Sequence, residues 1–155
     1  MITVFDTVAG LPVHALVVHA VVVLLPLMSL VTIAVAVRRS WRRAAAPWVL
    51  LADLAMLGVT WVARLSGQDL RTRLSGGGSQ VATHANRGDL LPWFALALVV
   101  AAAVLVLAVR RRALVPVAIV LSLGAGIATT TWTVVVGDSG ARAVWESTVQ
   151  NTKAP

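Results

Sequence analysis

The sequence predicts an all-α polytopic membrane protein, a four-helix transmembrane bundle with both termini extracytoplasmic. Three observations predict it. Apolar residues make up 59% of the 155 residues and charged residues only 12%. Four stretches are long and apolar enough to cross a hydrocarbon core, which takes about 20 helical residues. The two short connections between them carry arginine and no acid. Soluble domains run about 45–50% apolar and about 25% charged, and a chain of this size has too little interior to hide the excess. That excludes a soluble enzyme and a disordered chain. The absence of Cys excludes disulfides, thiolate metal sites and a Cys nucleophile.

The whole of 1–155 reads as one transmembrane domain, with spans at about 11–37, 47–63, 90–109 and 114–136. Span one is nearly unbroken, but Pro26 removes a backbone hydrogen bond in its middle and should kink it. Span two is shorter and contains one charge, Asp53. Spans three and four are charge-free. Ala101-Ala102-Ala103 and Gly124-Ala125-Gly126-Ile127-Ala128 offer small side chains where backbones can approach closely. The N-terminus carries Asp6 and no basic region, and the first apolar run is too long for a cleaved segment, so no signal peptide is expected. In the middle connection, Gly76-Gly77-Gly78-Ser79 has the composition of a flexible linker. No internal repeat stands out.

The connections set the orientation. The two short ones, Arg38-Arg39-Ser40-Trp41-Arg42-Arg43 and Arg110-Arg111-Arg112, together hold seven arginines. The two ends and the middle connection hold six basic residues (Arg64, Arg71, Arg73, Arg87, Arg142, Lys153) against five acids (Asp6, Asp69, Asp89, Asp138, Glu146). Basic residues in short loops stay cytoplasmic, which puts the termini and the middle connection outside. The net charge of +7 is then a topology signal and an attraction to anionic lipid. It is no nucleic-acid footprint, because no basic patch sits on a soluble module. The six Trp fit interface anchoring: Trp41 and Trp48 at the inner boundary, Trp61, Trp93, Trp132 and Trp145 near the outer one.

Few polar residues are left to carry chemistry. About twenty helical residues back from Arg38 reach about position 18. His19 therefore lies at the outer edge of the hydrocarbon and His14 about one turn beyond it. His84 and Asp138 also fall outside. Neutral imidazoles can hold a metal, and two opposed His can hold a haem b between helices. His19 with His84 is the first choice of ligand pair, with His14 next; His14, His84 and Asp138 would be a zinc set. His14 and His19 are five residues apart, about 140° around a helix, so they do not share a face. The plainer reading is that these His cap helix ends or bond loop carbonyls. Asp53 is the other anomaly, about 9 Å along span two. A carboxylate there should face the bundle interior, as a proton-relay group or bonded to a neighbouring helix through Thr or Trp. Thr129, Thr130, Thr131 and Thr133 are possible partners or bond their own helix. No Ser-His-Asp arrangement, phosphate loop or HExxH stands in the sequence, which argues against an enzyme.

Gly10-Leu11-Pro12-Val13-His14-Ala15-Leu16-Val17-Val18-His19 resembles the G-x-P-x-H-P-L-x-V-H-F-P opening of an uncharacterised family of small four-helix bacterial membrane proteins. Ala82-Thr83-His84 with Gly88-Asp89 resembles that family's His before span three. The segment from Gly137-Asp138-Ser139-Gly140 to Val144-Trp145 resembles its G-H-x-G-x-x-x-V-aromatic ending. The likeness covers roughly positions 10 to 145. Ala15 stands where the family has Pro, Ala20-Val21 where it has Phe-Pro, and Asp138 where it has a fourth His. Some members look fused to Rieske-type ferredoxin domains, which implies proximity to electron transfer and favours haem over zinc. The lost fourth His leaves at most one bis-His pair. The resemblance implies a multi-pass protein of the bacterial plasma membrane.

Three readings stay open: a haem-binding or redox-associated protein with a membrane redox partner, a cofactor-free accessory subunit of a larger complex or homo-oligomer, and a small transporter or proton relay using Asp53. The orientation itself is directly testable. Reporter fusions should read cytoplasmic at Arg43 and extracytoplasmic at Ser79, and the reverse at either site would overturn it.

Overall fold

The structure, a computed structural model, describes residues 7–8, 11–73 and 78–152. Asp6, Gly10, Ser75, Gly76, Gly77 and Lys153 lie outside them. A two-residue antiparallel ladder, β1 (Thr7–Val8) with β2 (Leu11–Pro12), leads into α1 (Val13–Val37). Then come α2 (Arg39–Arg73), α3 (Ser79–Gly88), α4 (Leu91–Arg110), a single 3₁₀ turn (Arg112–Leu114) and α5 (Val115–Asn151). Four helical stretches are long and apolar enough to cross a membrane.

The elements follow from local chemistry. α1 runs on through Pro26. Between α1 and α2 only Arg38 is non-helical, so the first connection is a corner rather than a loop. The last carbonyls of a helix have no partner within it. Here Arg42 supplies one, donating from Nε to Ala36 O at 2.7 Å and from its guanidinium to Val37 O at 3.2 Å. Pro92 opens α4, where its missing N–H costs nothing. α2 and α5 are much longer than the spans at 47–63 and 114–136. Their 35 and 37 residues extend about 52 and 55 Å, well beyond a hydrocarbon core about 30 Å thick. The middle connection is largely helical too, because 64–73 continues α2 and 79–88 forms α3.

The long helices form a ring in which α1 and α4 each pack on both α2 and α5. Each half of the chain enters from the outer end, turns at an arginine connection and returns. The outer half of the core joins Val21 and Leu25 of α1, Met56 and Ala63 of α2, Leu91, Ala95 and Leu98 of α4, and Val136 of α5. The inner half is built on smaller residues, among them Ala36, Ala46, Ala102, Ala108 and Ala118. Large apolar side chains such as Val23, Leu30, Val120 and Val134 are exposed around the outside, as a lipid-facing surface requires. Most Trp are exposed, but Trp132 stacks on Phe94 at 5.2 Å and donates from Nε1 to Arg87 O at 3.1 Å.

The two glycines of span four differ. A Cβ on Gly126 would lie 2.6 Å from Ile33 Cδ1 and 3.3 Å from the Ser29 carbonyl oxygen, whereas one on Gly124 meets nothing. Only Gly126 is a close-approach residue. Gly126→Leu should destabilise the bundle by about 1–3 kcal/mol through overpacking, while Gly124→Leu should be near neutral. Thermal unfolding in detergent would separate them, and equal effects would refute the assignment.

Candidate functional site

The overlong outer ends of α2 and α5 build the site. On α2, Ser66 Oγ donates to Ala63 O at 3.1 Å, and Nδ1 of His14 approaches both atoms, at 3.0 Å from the carbonyl and 3.3 Å from the hydroxyl. On α5, Ser139 Oγ donates to Val136 O at 2.7 Å, and Nδ1 of His84 sits 3.2 Å from each. The next residue is glycine in both places. A Cβ on Gly67 would lie 2.8 Å from His14 Cε1, and one on Gly140 would lie 3.0 Å from His84 Cε1. Glycine is therefore what lets each imidazole lie against the neighbouring helix.

These contacts fix the tautomer. A carbonyl oxygen only accepts, so Nδ1 carries the proton in both rings, and Nε2 keeps its lone pair. A ring N–H given to a backbone carbonyl is the usual device that orients a metal-ligating imidazole. The two rings stand 6.4 Å apart, centroid to centroid, at 71°. Two imidazoles bound through nitrogen to one metal at about 2.0 Å stand with centroids roughly 6 Å apart.

The rings border a cavity of about 110 Å³ at the mouth of the bundle, with Val21, Thr60, Leu91 and Thr133 among its walls. α3 roofs it. Arg64 Nε donates to Asp89 Oδ1 at 2.9 Å, and Gln68 adds a second bond to the same oxygen at 3.3 Å. Gln80 donates to Glu146 on the α5 side. α3 lies outside the spans, and burial there pushes the His84 imidazole below its ordinary value, partly opposed by the bond to Val136 O.

The candidate residues are sorted by this geometry. His14 and His84 come together. His19 does not join them: it is exposed, and its Nδ1 bonds Ala15 O on its own helix. The first-choice pair, His19 with His84, therefore gives way to His14 with His84, for the angular reason that separates positions 14 and 19. Asp138 is 53% exposed and pairs with Arg142 at 2.9 Å, one turn along α5, so the zinc set with His14 and His84 is not assembled. No group of three or more His, Cys, Asp or Glu gathers among the described residues. Asp53 is 1% exposed and far from the pair, and its Oδ2 accepts from Thr32 Oγ1 at 2.9 Å. Thr129 bonds Phe94 O and Thr133 bonds Thr129 O, so Asp53 takes its partner from α1 and not from span four.

Sequence reasoning missed the cradle, although its signal is present. Thr60-x-x-Ala63-x-x-Ser66-Gly67 and Thr133-x-x-Val136-x-x-Ser139-Gly140 share one spacing, and His14-Ala15 and His84-Ala85 precede them. Thr60 and Thr133 are both buried. The chain does contain an internal repeat, one half in α1–α2 and the other in α3–α5. His14 to Ala63 spans 49 positions and His84 to Val136 spans 52, so the two halves drift out of register.

The chain belongs to the DUF2231 family of predicted membrane proteins, whose family model matches residues 10–153. No curated protein matches it. No solved structure does either.

The His84 shift has a consequence for stability. The folded state holds its proton less well than the unfolded chain, so this stability is complete above the ordinary imidazole value and falls as pH drops through the folded one. Acidification should loosen α3, and amide hydrogen exchange in 79–88, corrected for intrinsic rate, should accelerate. His84→Asn should remove most of that pH dependence. An α3 equally protected at neutral and acid pH would show that His84 does not titrate against the fold.

Proposed function

We propose that this is a redox-associated membrane protein whose working part is a metal centre held between His14 and His84 at the outer face. The observation that carries the reading is the duplicated cradle. Two imidazoles from opposite halves of the chain are each locked through Nδ1 to a carbonyl and a serine, and so present Nε2. Nothing about helix packing alone calls for the same serine and glycine twice.

Two imidazoles leave the rest of the coordination shell open. His14 and His84 would hold such a centre through Nε2, and haem iron, which brings donors of its own, or copper(I), which needs few protein ligands, would suit a two-imidazole site. Zinc would need at least one more protein ligand. The cavity, about 110 Å³, takes a single ion as packed. Small-molecule sites run to about 300 Å³ and more, so the cavity as packed favours a single ion over haem b. A metal centre at this depth would exchange electrons with a partner at the outer face. The bacterial plasma membrane supplies the setting the family resemblance implies.

The test is spectroscopic. Purified protein should take up haem, seen as an absorption band, or copper(I), seen by metal analysis. His14→Ala and His84→Ala should each abolish uptake. Ser66→Ala and Ser139→Ala should weaken it about 10–100-fold, as loss of groups behind a ligand does. His19→Ala and Asp138→Ala should leave it unchanged. Retention in either of the first two variants, or uptake of neither species, sinks the reading.

A further inference from the structure

Asp53 is 1% exposed, and its Oδ1 has no hydrogen-bond partner. Ser122, 0% exposed, likewise has a hydroxyl without one. These are the two unpartnered buried side-chain oxygens among the described residues, and each such group in a well-packed protein needs an explanation.

Register places them at one level. Gly126 lies against the Ser29 carbonyl and Ile33. One turn further in along α5 is Ser122; one turn further in along α1 from Ser29 is Thr32, which holds Asp53. α2 and α5 sit across the ring from each other, so Asp53 and Ser122 reach this layer from opposite sides of the bundle axis. Ser29 is satisfied on Leu25 O at 3.0 Å.

Charge decides what the layer holds. Between Arg43 and Arg64, Asp53 is the only charged side chain of α2. The helices packed on α2 offer no counter-ion at this depth: α1 carries only His14 and His19 near its outer end, α4 only Arg110 at its inner end, and α3 His84 and Arg87 above the bundle. α5 has no charge before Asp138. The nearest cation along α2, Arg43, is ten residues away, roughly 15 Å. An ionised carboxylate here would be unpaired in hydrocarbon, at a cost of several kcal/mol. A bound proton removes that cost, but the acid O–H then needs an acceptor, and the Ser122 hydroxyl needs a partner too. One buried water bonded to both answers each need, as buried waters generally do.

We propose that Asp53, Thr32 and Ser122 form an intramembrane proton site. The carboxyl is protonated at rest, Thr32 Oγ1 fixes one of its oxygens, and a water links the other to Ser122. The site binds one proton reversibly, the carboxylate and a proton giving the acid. It does not depend on the histidine centre, and the two readings stand or fall separately.

The full chain in lipid vesicles, grown with isotope-labelled aspartate, provides the test by infrared spectroscopy. A protonated aspartic carboxyl band should be present at neutral pH and absent in Asp53→Asn. Ser122→Ala should shift the band, and so should Thr32→Val; Gly124→Leu, on the outer surface, should not move it. The labelled wild type makes the readout independent of how well Asp53→Asn folds. A labelled protein showing only ionised carboxylates at neutral pH would overturn the proton site. A band left in place by Ser122→Ala would overturn the water link.

Discussion

Arginine cannot be left in hydrocarbon, and in this chain it occurs at both tight turns. Each half must therefore go in, turn and come out, and every other feature of the architecture is built on those two corners. The first corner is also a structural joint. Arg42 bonds the carbonyls of Ala36 and Val37 that the end of α1 would otherwise leave unsatisfied. One side chain thus contributes to the arginine bias of the connection and satisfies two carbonyls at the end of α1.

Two hairpins pinned at their inner ends must meet at their outer ends. Because α1 and α4 both descend and α2 and α5 both rise, the starts of α1 and α3 lie against the extended ends of α2 and α5. That is where His14 and His84 are. The repeat makes the pair a property of the axis between the halves. Each His leans on the long helix of its own half, and the lone pairs left by the two Nδ1 bonds are available at the mouth of the bundle. Glycine at 67 and 140 is the steric condition for this, since a Cβ at 67 would collide with the His14 ring and one at 140 would crowd the His84 ring.

The spans and the arginine bias were legible because they depend on composition over twenty residues, which packing cannot reverse. The ends of α2 and α5 were not. Arg64 to Arg73 is too polar for a span, yet its Arg, Leu and Gln are good helix formers, so the helix simply continues past the membrane. α3 was hidden among linker-like residues, and Gly78, part of that run, is the residue that starts it. That His14 and His19 occupy different faces could be read from their spacing. Which of them turns inward could not, because span one is apolar on every side and gives no inner face. Asp53 was legible as an inward residue from the cost of exposing it to lipid, but its partner Thr32 sits on a helix whose rotation the sequence does not set.

The same absence of polar alternatives gives weight to the few polar groups that are buried. In a soluble core a hydroxyl can be repaid by water at a nearby surface. Here, Thr60 bonds Leu57 O, Thr133 bonds Thr129 O, and Ser66 and Ser139 bond the carbonyls three residues before them. Each is satisfied on its own helix and asks nothing of its neighbours. The exceptions are the groups that reach across: the two Nδ1 bonds at the mouth, Trp132 to Arg87 O, Thr129 to Phe94 O, and Asp53 to Thr32 deep inside. A bond across helices fixes their relative rotation. It survives in hydrocarbon only if both partners stay in register, so the cradle layer, the Thr129 bond and the Asp53 layer each hold this bundle to one arrangement. Between the cradle and Asp53 lie Val21, Leu25, Met56 and Leu98, together with Thr60, Thr129 and Thr133, whose hydroxyls are spent on backbone carbonyls.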